Sequence, residues 1–462
     1  MESGIDAYKI PIAILICAVA LTIFIKETLR QHGINKIFNF SKELKKIKMK
    51  PQKRYQNMNS TYIGTTSNRK PVKTPDDMKH EFVCGTTGSG KTVALANYIK
   101  SGVEKEYPML IIDGKGDTGD GSIYDIVKRL KGDRPLYVIN LTNPLKSDFY
   151  NPFKNATPTI AKDMLINLTE WSEEHYRLNT ERYLQRLLQL LAVNQIPLSF
   201  KSIVSQMSIE KFVKLSGLTL KAGLISKDEH IDNIELSKTS GKIAEGAFAR
   251  FSLIAESELG YIFNENGVDI ATALEEKAII LFILNPLIYP EMSPLIGRLI
   301  LIDSKKAISR LFDVNRERIF FIMDEVNSYA SPVLLDILNK SRSANITCIL
   351  ATQSLSDLDF AAGVAFKEQI IENCNNYIVM RQNSATNAEH WANILGTRST
   401  MEVTYQLQQT GLTTSETGFG SARRVREFLY HPDEIKNLPT GKAIYMSKDT
   451  NFHGKVIINK PF

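Results

Sequence analysis

The sequence predicts an α/β protein built on a parallel β-sheet, with an inserted all-helical domain and one N-terminal transmembrane helix. Three observations carry this prediction. Short apolar runs alternate with helical segments, helical periodicity alone fills residues 158–263, and residues 10–25 carry no charge. Strands that alternate with helices are typical of parallel sheets. The chain of 462 residues is long enough for two or three domains, and its hydrophobic content of 43% supports folded cores.

The first predicted element is a membrane helix, Ile10 to Ile25, sixteen uncharged residues between Lys9 and Lys26. Such a helix is short but can span a bilayer. Ten Lys or Arg residues lie between positions 26 and 54, so the positive-inside rule places the rest of the chain in the cytoplasm. A cleaved signal peptide is the main alternative, although acidic residues precede the apolar run. The basic segment either contacts anionic headgroups or is a solvated linker.

A phosphate-binding pattern, G-x-x-x-x-G-K-[ST], follows the linker. It consists of Gly85, Thr86, Thr87, Gly88, Ser89, Gly90, Lys91 and Thr92. An apolar run precedes the pattern and a helical segment follows it, which is the context that it requires. Backbone N–H groups at the start of the helix bind phosphate oxygens, and glycines allow a close approach. We expect Lys91 to reach the β- and γ-phosphates and the Thr92 hydroxyl to bind Mg²⁺. The pattern therefore predicts a site for ATP and Mg²⁺.

Eight strand-like apolar runs lie on the two sides of the helical region. They are Phe82 to Cys84, Met109 to Ile112, Leu136 to Ile139, Ala278 to Leu284, Ile319 to Met323, Thr347 to Ala351, Tyr377 to Met380 and Ala443 to Met446. The second run ends in Asp113-Gly114-Lys115-Gly116-Asp117, which would place polar groups at the carboxyl edge of a sheet, where α/β proteins bind ligands. A plain turn explains this segment equally well.

The helical region contains an apolar stripe, Tyr183, Leu184, Leu187, Leu188 and Leu191, with the spacing of an amphipathic helix. We therefore divide the chain into an anchor, 1–30, a first part of the nucleotide-binding domain, 31–157, an all-α insertion, 158–263, and a second part of the nucleotide-binding domain, 264–462. Residues 31–60 of the first part form the basic linker.

Two later strands end in polar residues that complete a hydrolytic site. The run at Ile319 ends in Asp324 and Glu325, the pattern of a Walker B element. We expect Asp324 to hold Mg²⁺ and Glu325 to orient or deprotonate the attacking water. The run at Thr347 leads to Gln353, which could contact the γ-phosphate or position the water. Alone, either strand end is a common feature, and the preceding phosphate-binding loop makes the catalytic interpretation the better one.

Charge and cysteine content restrict the partners and the compartment. The net charge of +7 makes nucleic acid or an anionic membrane surface a plausible partner. The four cysteines contain no C-x-x-C pair. This indicates reduced, buried residues in a reducing compartment rather than disulfides or a metal site.

The combination of motifs resembles the type IV secretion coupling proteins of conjugative systems, the TraG/TraD type, from about residue 80 to the end of the chain. The motifs are His80 with the phosphate-binding pattern, Asp113 to Asp117, Asn151-Pro152-Phe153, Asp324-Glu325, Ser341-Arg342-Ser343, Gln353 to Leu358 and Glu372 to Asn375. The resemblance implies a RecA-like domain that assembles into a homo-hexamer and carries the all-α domain. It also implies that Arg342 is an arginine finger, offered to the nucleotide of the adjacent subunit.

By this resemblance, the protein is an ATPase of the inner membrane that recruits single-stranded DNA with its bound relaxase and delivers it to the channel proteins of a type IV secretion system. Three alternatives remain. The first is the pilus-assembly ATPase of the same systems, and the second is a chromosome translocase of the FtsK type. The third is a membrane-tethered scaffold that binds nucleotide without hydrolysing it, against which the presence of Glu325 and Gln353 argues.

Overall fold

The computed structural model of the chain describes residues 18–23, 59–312, 317–410 and 413–462. The chain divides into two compact units, Met1–Pro51 and Gln52–Phe462. In the first unit, residues 18–23 are helical and exposed. No helix within the described ranges combines the length and the apolar character needed to cross a bilayer. The predicted membrane helix, Ile10 to Ile25, lies outside the described residues except for 18–23, so it stays a prediction.

Eleven strands of the second unit form one sheet, and two more form a hairpin. The strands are β1 (Ser60–Thr65), β2 (Pro71–Pro75), β3 (Glu81–Cys84), β4 (Met109–Asp113), β5 (Leu136–Asn140), β6 (Ile279–Ile283), β7 (Ile319–Asp324), β8 (Ile346–Thr352), β9 (Asn376–Val379), β10 (Thr397–Thr410), β11 (Thr413–Phe428), β12 (Lys442–Ser447) and β13 (Phe452–Ile458). The order across the large sheet is β2-β1-β13-β12-β9-β3-β8-β7-β4-β6-β5, and β10 pairs only with β11.

Seven neighbouring strands of the large sheet, from β9 to β5 in this order, are parallel. The other four, β12, β13, β1 and β2, add to one edge in antiparallel pairs. The central strands β3, β4, β6, β7 and β8 are buried throughout their length, which explains their continuous apolar sequences. The predicted α/β fold is confirmed, and each of the eight predicted runs is a strand.

Five strands were not predicted. The three outermost antiparallel strands, β1, β2 and β13, alternate buried and exposed residues over short lengths, so they lack the apolar run that marks the central strands. Pairing of β1 with β13 places Gly64 beside Ile458, almost at the end of the chain. The long strands β10 and β11 are rich in Thr, Gln and Arg, and they too contain no apolar run. The strands β1 and β13 therefore depend on pairing between segments that are distant in sequence, whereas β10 and β11 pair with each other in a hairpin.

Fifteen α-helices are described in the second unit. They are α1 (Lys91–Glu104), α2 (Ile123–Leu130), α3 (Pro158–Leu168), α4 (Glu174–Val193), α5 (Phe200–Gln206), α6 (Ile209–Lys221), α7 (Lys227–Leu236), α8 (Lys242–Glu256), α9 (Ile270–Glu275), α10 (Met292–Leu311), α11 (Pro332–Lys340), α12 (Leu355–Ala362), α13 (Val364–Asn373), α14 (Ala385–Leu395) and α15 (Pro432–Lys436). A π-helical turn, Ser237–Gly241, joins α7 to α8.

Helices α3 to α8 follow one another along the chain without a strand between them. The predicted apolar stripe lies on α4, and all five of its side chains are fully buried. Tyr183 of this stripe packs against Phe212 of α6, with ring centroids 4.8 Å apart, and its hydroxyl donates to the Met207 carbonyl. The 3.6-residue periodicity therefore identified the face of α4 that the neighbouring helices cover.

A buried ionic cluster on α10 holds the segment that leads into the helical region. The Lys306 Nζ lies 2.7 Å from an Asp303 carboxylate oxygen and 3.2 Å from one of Asp269, and it donates to the Pro152 carbonyl at 2.7 Å. The Tyr150 hydroxyl donates to Asp303 at 2.7 Å. Both carboxylates have no exposed side-chain surface. Burial raises the pKa of Asp303 to about 6, and the charge of Lys306 opposes this rise.

We expect Lys306→Ala to lower the free energy of unfolding by about 3–5 kcal/mol, because it leaves the Asp303 carboxylate buried without its cation and removes one of the two cations, Lys306 and Arg310, beside Asp269. The measurement is urea denaturation of the purified protein. Lys305→Ala is the matched control, since Lys305 pairs with Asp336 at an exposed position. Loss of that pair should cost less than about 1 kcal/mol. Equal losses from the two substitutions would contradict a special role of the buried cluster.

Candidate functional site

The phosphate-binding loop connects β3 to α1, which is the context that its sequence predicts. Gly88 and Gly90 have φ angles of 74° and 111°, in the left-handed region that favours glycine. At Gly85, a Cβ atom would lie 2.5 Å from the Met380 Cβ, so any larger residue would force the two segments apart. The loop glycines are therefore required by the backbone path as well as by the approach of a ligand.

Hydrogen bonds to two neighbouring segments, one after β9 and one before β12, hold the phosphate-binding loop in place. The Thr86 N–H donates to the Arg381 carbonyl at 3.0 Å, just beyond the end of β9. The Gly441 N–H donates to the Ser89 carbonyl at 2.9 Å, which joins the loop to the turn before β12. Arg381 was not predicted as a site residue, and no motif marks it. The Nε atom of its guanidinium is buried and has no hydrogen-bond partner in the described part of the chain.

Lys91 and Thr92 are the first two residues of α1, at its N-terminus. The Lys91 Nζ donates to the Gly85 carbonyl at 2.6 Å, so the ammonium group lies over the loop. Burial raises the pKa values of Asp324 and Glu325, and the charge of Lys91 opposes this rise. The helix N-terminus and the ammonium group together provide a positive site for phosphate oxygens.

The two Walker B carboxylates lie at the end of β7, with different exposure. Asp324 is buried, and burial raises its pKa while Lys91 opposes the rise. Glu325 is partly buried, and its pKa is raised by burial and then by the charge of Asp324. Glu325 has a left-handed backbone, φ 51°, which costs about 1–3 kcal/mol for a residue other than glycine. The Glu325 N–H donates to the Asp324 carboxylate at 3.0 Å at this turn.

Gln353 follows β8 and links the phosphate-binding loop to the Walker B strand. The Thr87 hydroxyl donates to the Gln353 amide oxygen at 3.0 Å. Burial and the charge of Asp324 raise the pKa of Glu325, and a hydrogen bond from the Gln353 side chain opposes this rise. Because the amide oxygen accepts from Thr87, the amide nitrogen is the group that donates to Glu325. Gln353 is thus placed between a loop hydroxyl and the predicted base.

Asp113 is a further carboxylate of this site, to which the sequence assigned no role. It is the last residue of β4 and the register partner of Asp324 on β7. Asp113 is buried, and burial followed by the charge of Asp324 raises its pKa to about 7. The two buried carboxylates at neighbouring strand ends and the Thr92 hydroxyl at the start of α1 are oxygen ligands of the kind that Mg²⁺ prefers in proteins. The sequence signal was the polar segment that follows the apolar run and begins with Asp113. A plain turn explained that segment equally well.

Arg342 lies at the amino ends of the parallel strands, whereas the phosphate-binding loop lies at their carboxyl ends. Arg342 belongs to a 3₁₀ turn, Ser341–Ala344, that precedes β8, and its side chain is exposed. The phosphate-binding loop follows β3, a parallel neighbour of β8. A strand of the length of β8, Ile346–Thr352, spans about 23 Å. The structure therefore brings together Lys91, Asp324, Glu325 and Gln353, and it does not bring Arg342 to them within one chain.

Comparisons with known proteins identify the architecture around this site. The family model described as the TraM recognition site of TraD and TraG matches residues 318–440. The unbound form of TrwBdeltaN70, a bacterial conjugative coupling protein, has a TM-score of 0.64 at 17% identity, over 88% of this chain and 91% of that chain. The predicted resemblance to the type IV coupling proteins is confirmed.

Further solved structures share the coupling-protein fold. The plasmid coupling protein TrwB in complex with ADP and Mg²⁺ has a TM-score of 0.62 at 17% identity, over 89% of this chain and 91% of that chain. VirB4 of Thermoanaerobacter pseudethanolicus has a TM-score of 0.52 at 12% identity, over 87% of this chain and 98% of that chain. The predictions of an ATPase, and of ATP and Mg²⁺ as its cofactors, agree with the TrwB complex.

One relative with higher identity covers a smaller part of the chain. It is an uncharacterized protein of Mycoplasma pneumoniae (strain ATCC 29342 / M129 / Subtype 1), 35% identical over 101 residues. The match covers 22% of this chain and 67% of that protein. It adds a relative but no information on function.

We expect Glu325→Gln to bind ATP as the wild type does and to hydrolyse it at least ~100-fold more slowly, because the amide keeps the shape but cannot accept a proton. Lys91→Ala should lose both binding and hydrolysis, since the cation over the loop is absent. Lys100→Ala, an exposed lysine on the same helix, is the control and should behave as wild type. The measurements are fluorescent ATP-analogue binding and phosphate release. Normal turnover by Glu325→Gln would remove Glu325 from the water-activating role.

Proposed function

We propose that this chain is a membrane-anchored hexameric ATPase that couples ATP hydrolysis to the recruitment and translocation of single-stranded DNA, with its bound relaxase, into a type IV secretion channel. One observation carries the catalytic part of this proposal. Four strand ends, those of β3, β8, β7 and β4, bring Lys91, Gln353, Asp324 with Glu325, and Asp113 to one edge of a parallel sheet. Open α/β sheets bind ligands at this edge.

The roles in hydrolysis follow from the chemistry of each side chain. Loop N–H groups and Lys91 bind the phosphates and offset their charge. Thr92 and Asp324 would hold Mg²⁺, with Asp113 next to Asp324, and the bound ion would supply positive charge for the phosphate oxygens. Glu325 accepts the proton of the attacking water, and a pKa raised by burial and by Asp324 makes it a stronger base. Gln353 orients Glu325 and the water by hydrogen bonds.

The position of Arg342 supports action between copies of the chain. An exposed cation on the opposite edge of the sheet cannot reach the nucleotide of its own chain, but it can face that of a neighbour in a ring. An arginine supplied in this way stabilises charge on the γ-phosphate in the transition state. We therefore assign Arg342 to the site of the adjacent subunit in a homo-hexamer.

The remaining parts of the proposal concern DNA, partners and location. The net charge of +7 is compatible with a nucleic-acid partner. The family model that matches residues 318–440 is described by its recognition of TraM, which supports docking of a DNA-processing complex to this part of the chain. The predicted helix Ile10 to Ile25, with the basic segment after it, would anchor a cytoplasmic ATPase at the inner membrane.

The proposed function predicts an ATPase rate that single-stranded DNA increases. DNA binding should depend little on sequence, and its affinity should fall by about 10³-fold or more between 50 and 200 mM salt, because phosphate contacts dominate such binding. Phosphate release with and without single-stranded DNA, and fluorescence anisotropy across salt concentration, are the measurements. Lys91→Ala provides the background rate. Nucleotide binding without hydrolysis at any DNA or protein concentration would instead favour the scaffold alternative.

Arg342→Ala is expected to bind ATP normally and to hydrolyse it ~10³- to 10⁵-fold more slowly, the range measured for arginine fingers. If Arg342 acts between subunits, mixing this variant with Glu325→Gln should restore hydrolysis, because some interfaces then combine an intact Glu325 with an intact Arg342. Lys340→Ala, an exposed cation two residues earlier, is the matched control and should keep the wild-type rate. Mixed hexamers that form but remain inactive would show that Arg342 does not act in trans.

A further inference from the structure

His80 is a buried residue with an unusual backbone, directly before β3. Its side chain and backbone together are 1% exposed, and its φ angle is 57°, in the left-handed region. Histidine visits this region at a cost of about 1–3 kcal/mol, so surrounding contacts must hold it there. The four residues of β3 separate His80 from the phosphate-binding loop. His80 therefore lies on the edge of the sheet opposite the nucleotide site.

Both ring nitrogens of His80 are used, and their roles can be assigned. The Cys348 backbone N–H donates to Nδ1 at 3.1 Å, so Nδ1 carries no proton. The neutral ring then has its proton on Nε2, which donates to the Leu338 carbonyl at 2.8 Å. Burial is the largest of the effects that lower the pKa of His80 to about 4, so the ring is neutral at physiological pH. The ring thus forms one hydrogen bond to each of two backbone groups, and these two bonds fix its orientation.

These two backbone groups lie on either side of the turn that carries Arg342. Leu338 belongs to α11, before the turn, and Cys348 belongs to β8, after it. Within the same region, the Ser341 hydroxyl lies 3.7 Å from the Cys348 sulfur. Arg342 is an exposed residue of the turn between Leu338 and Cys348. Without the ring, a buried N–H and a buried carbonyl would lose their partner, at about 1–3 kcal/mol each.

We propose that His80 is a positioning residue for Arg342. It fixes both ends of the Arg342 turn, so that the guanidinium is held in the orientation that a neighbouring nucleotide requires. His80 immediately precedes β3, and β3 ends at the phosphate-binding loop. The hydrogen bonds of His80 therefore connect the nucleotide site of one chain to the Arg342 turn that this chain presents to the adjacent subunit. The inference rests on the proposed action of Arg342 between subunits.

The first test separates positioning from nucleotide binding. We expect His80→Ala to lower kcat by ~100-fold, as a displacement of about 1 Å does in other enzymes, with the Kd for ATP unchanged. The loss should be smaller than that of Arg342→Ala, which removes the guanidinium itself. His175→Ala, a substitution of an exposed histidine on α4, is the matched control and should keep the wild-type rate. A raised Kd for ATP with unchanged kcat would overturn the proposal.

The second test determines on which side of the subunit interface the defect lies. Full-length His80→Ala is mixed with Glu325→Gln and, separately, with Arg342→Ala. If His80 positions Arg342, hydrolysis recovers with Glu325→Gln, whose Arg342 turn is intact, and does not recover with Arg342→Ala. If His80 instead supports its own phosphate-binding loop, the pattern reverses, and the proposal is wrong.

The mixture of Arg342→Ala with Glu325→Gln separates a failure of the role of His80 from a failure of the action of Arg342 between subunits. Recovery in that mixture but not in His80→Ala with Glu325→Gln overturns the role of His80 and leaves the proposed function intact. Failure of both overturns the action of Arg342 in trans. His80→Asn covers the case in which His80→Ala does not fold, because Asn tolerates the left-handed backbone and its side-chain oxygen can accept from Cys348. It should retain more activity than His80→Ala and give the same complementation pattern.

Discussion

The register of the parallel strands is the constraint on which this site depends. Neighbouring parallel strands have their carboxyl ends on the same side of the sheet. The residues that follow two neighbouring strands therefore lie next to each other. The pairing of Asp113 with Asp324 and of Cys84 with Thr352 places the ends of β4, β7, β8 and β3 side by side. A shift of one residue in any of them would turn its last side chain to the other face of the sheet.

This constraint concentrates charge that the fold must then balance. Asp113 and Asp324 are both buried, and burial raises the pKa of each. Lys91 opposes that rise at Asp324, and a divalent cation bound between oxygen ligands would oppose it more strongly. The left-handed backbone of Glu325 stores strain at the same point. The strand ends therefore bring together carboxylates whose negative charges oppose one another.

The two edges of the sheet serve two different nucleotides in the proposed assembly. The carboxyl edge holds the phosphate-binding loop and the residues that act on the nucleotide of the same chain. The opposite edge presents Arg342 on a turn that His80 holds at both ends. The short strand β3 runs between the loop and His80, through the buried centre of the sheet. A buried strand of four residues therefore connects the phosphate-binding loop to the residue that holds the Arg342 turn.

The sequence by itself determined the central strands, the helical region and the loop residues Gly85 to Thr92, because these signals are local. Continuous apolar runs, 3.6-residue periodicity and a glycine-rich motif are read within a few positions of one another. It did not determine β1, β2 and β13, whose pairing joins residues near the two ends of the second unit. It also named Arg342 only by resemblance and assigned no role to Asp113. Only the tertiary structure placed Asp113 beside Asp324 and His80 across the Arg342 turn, because register and burial depend on contacts between segments far apart in the chain.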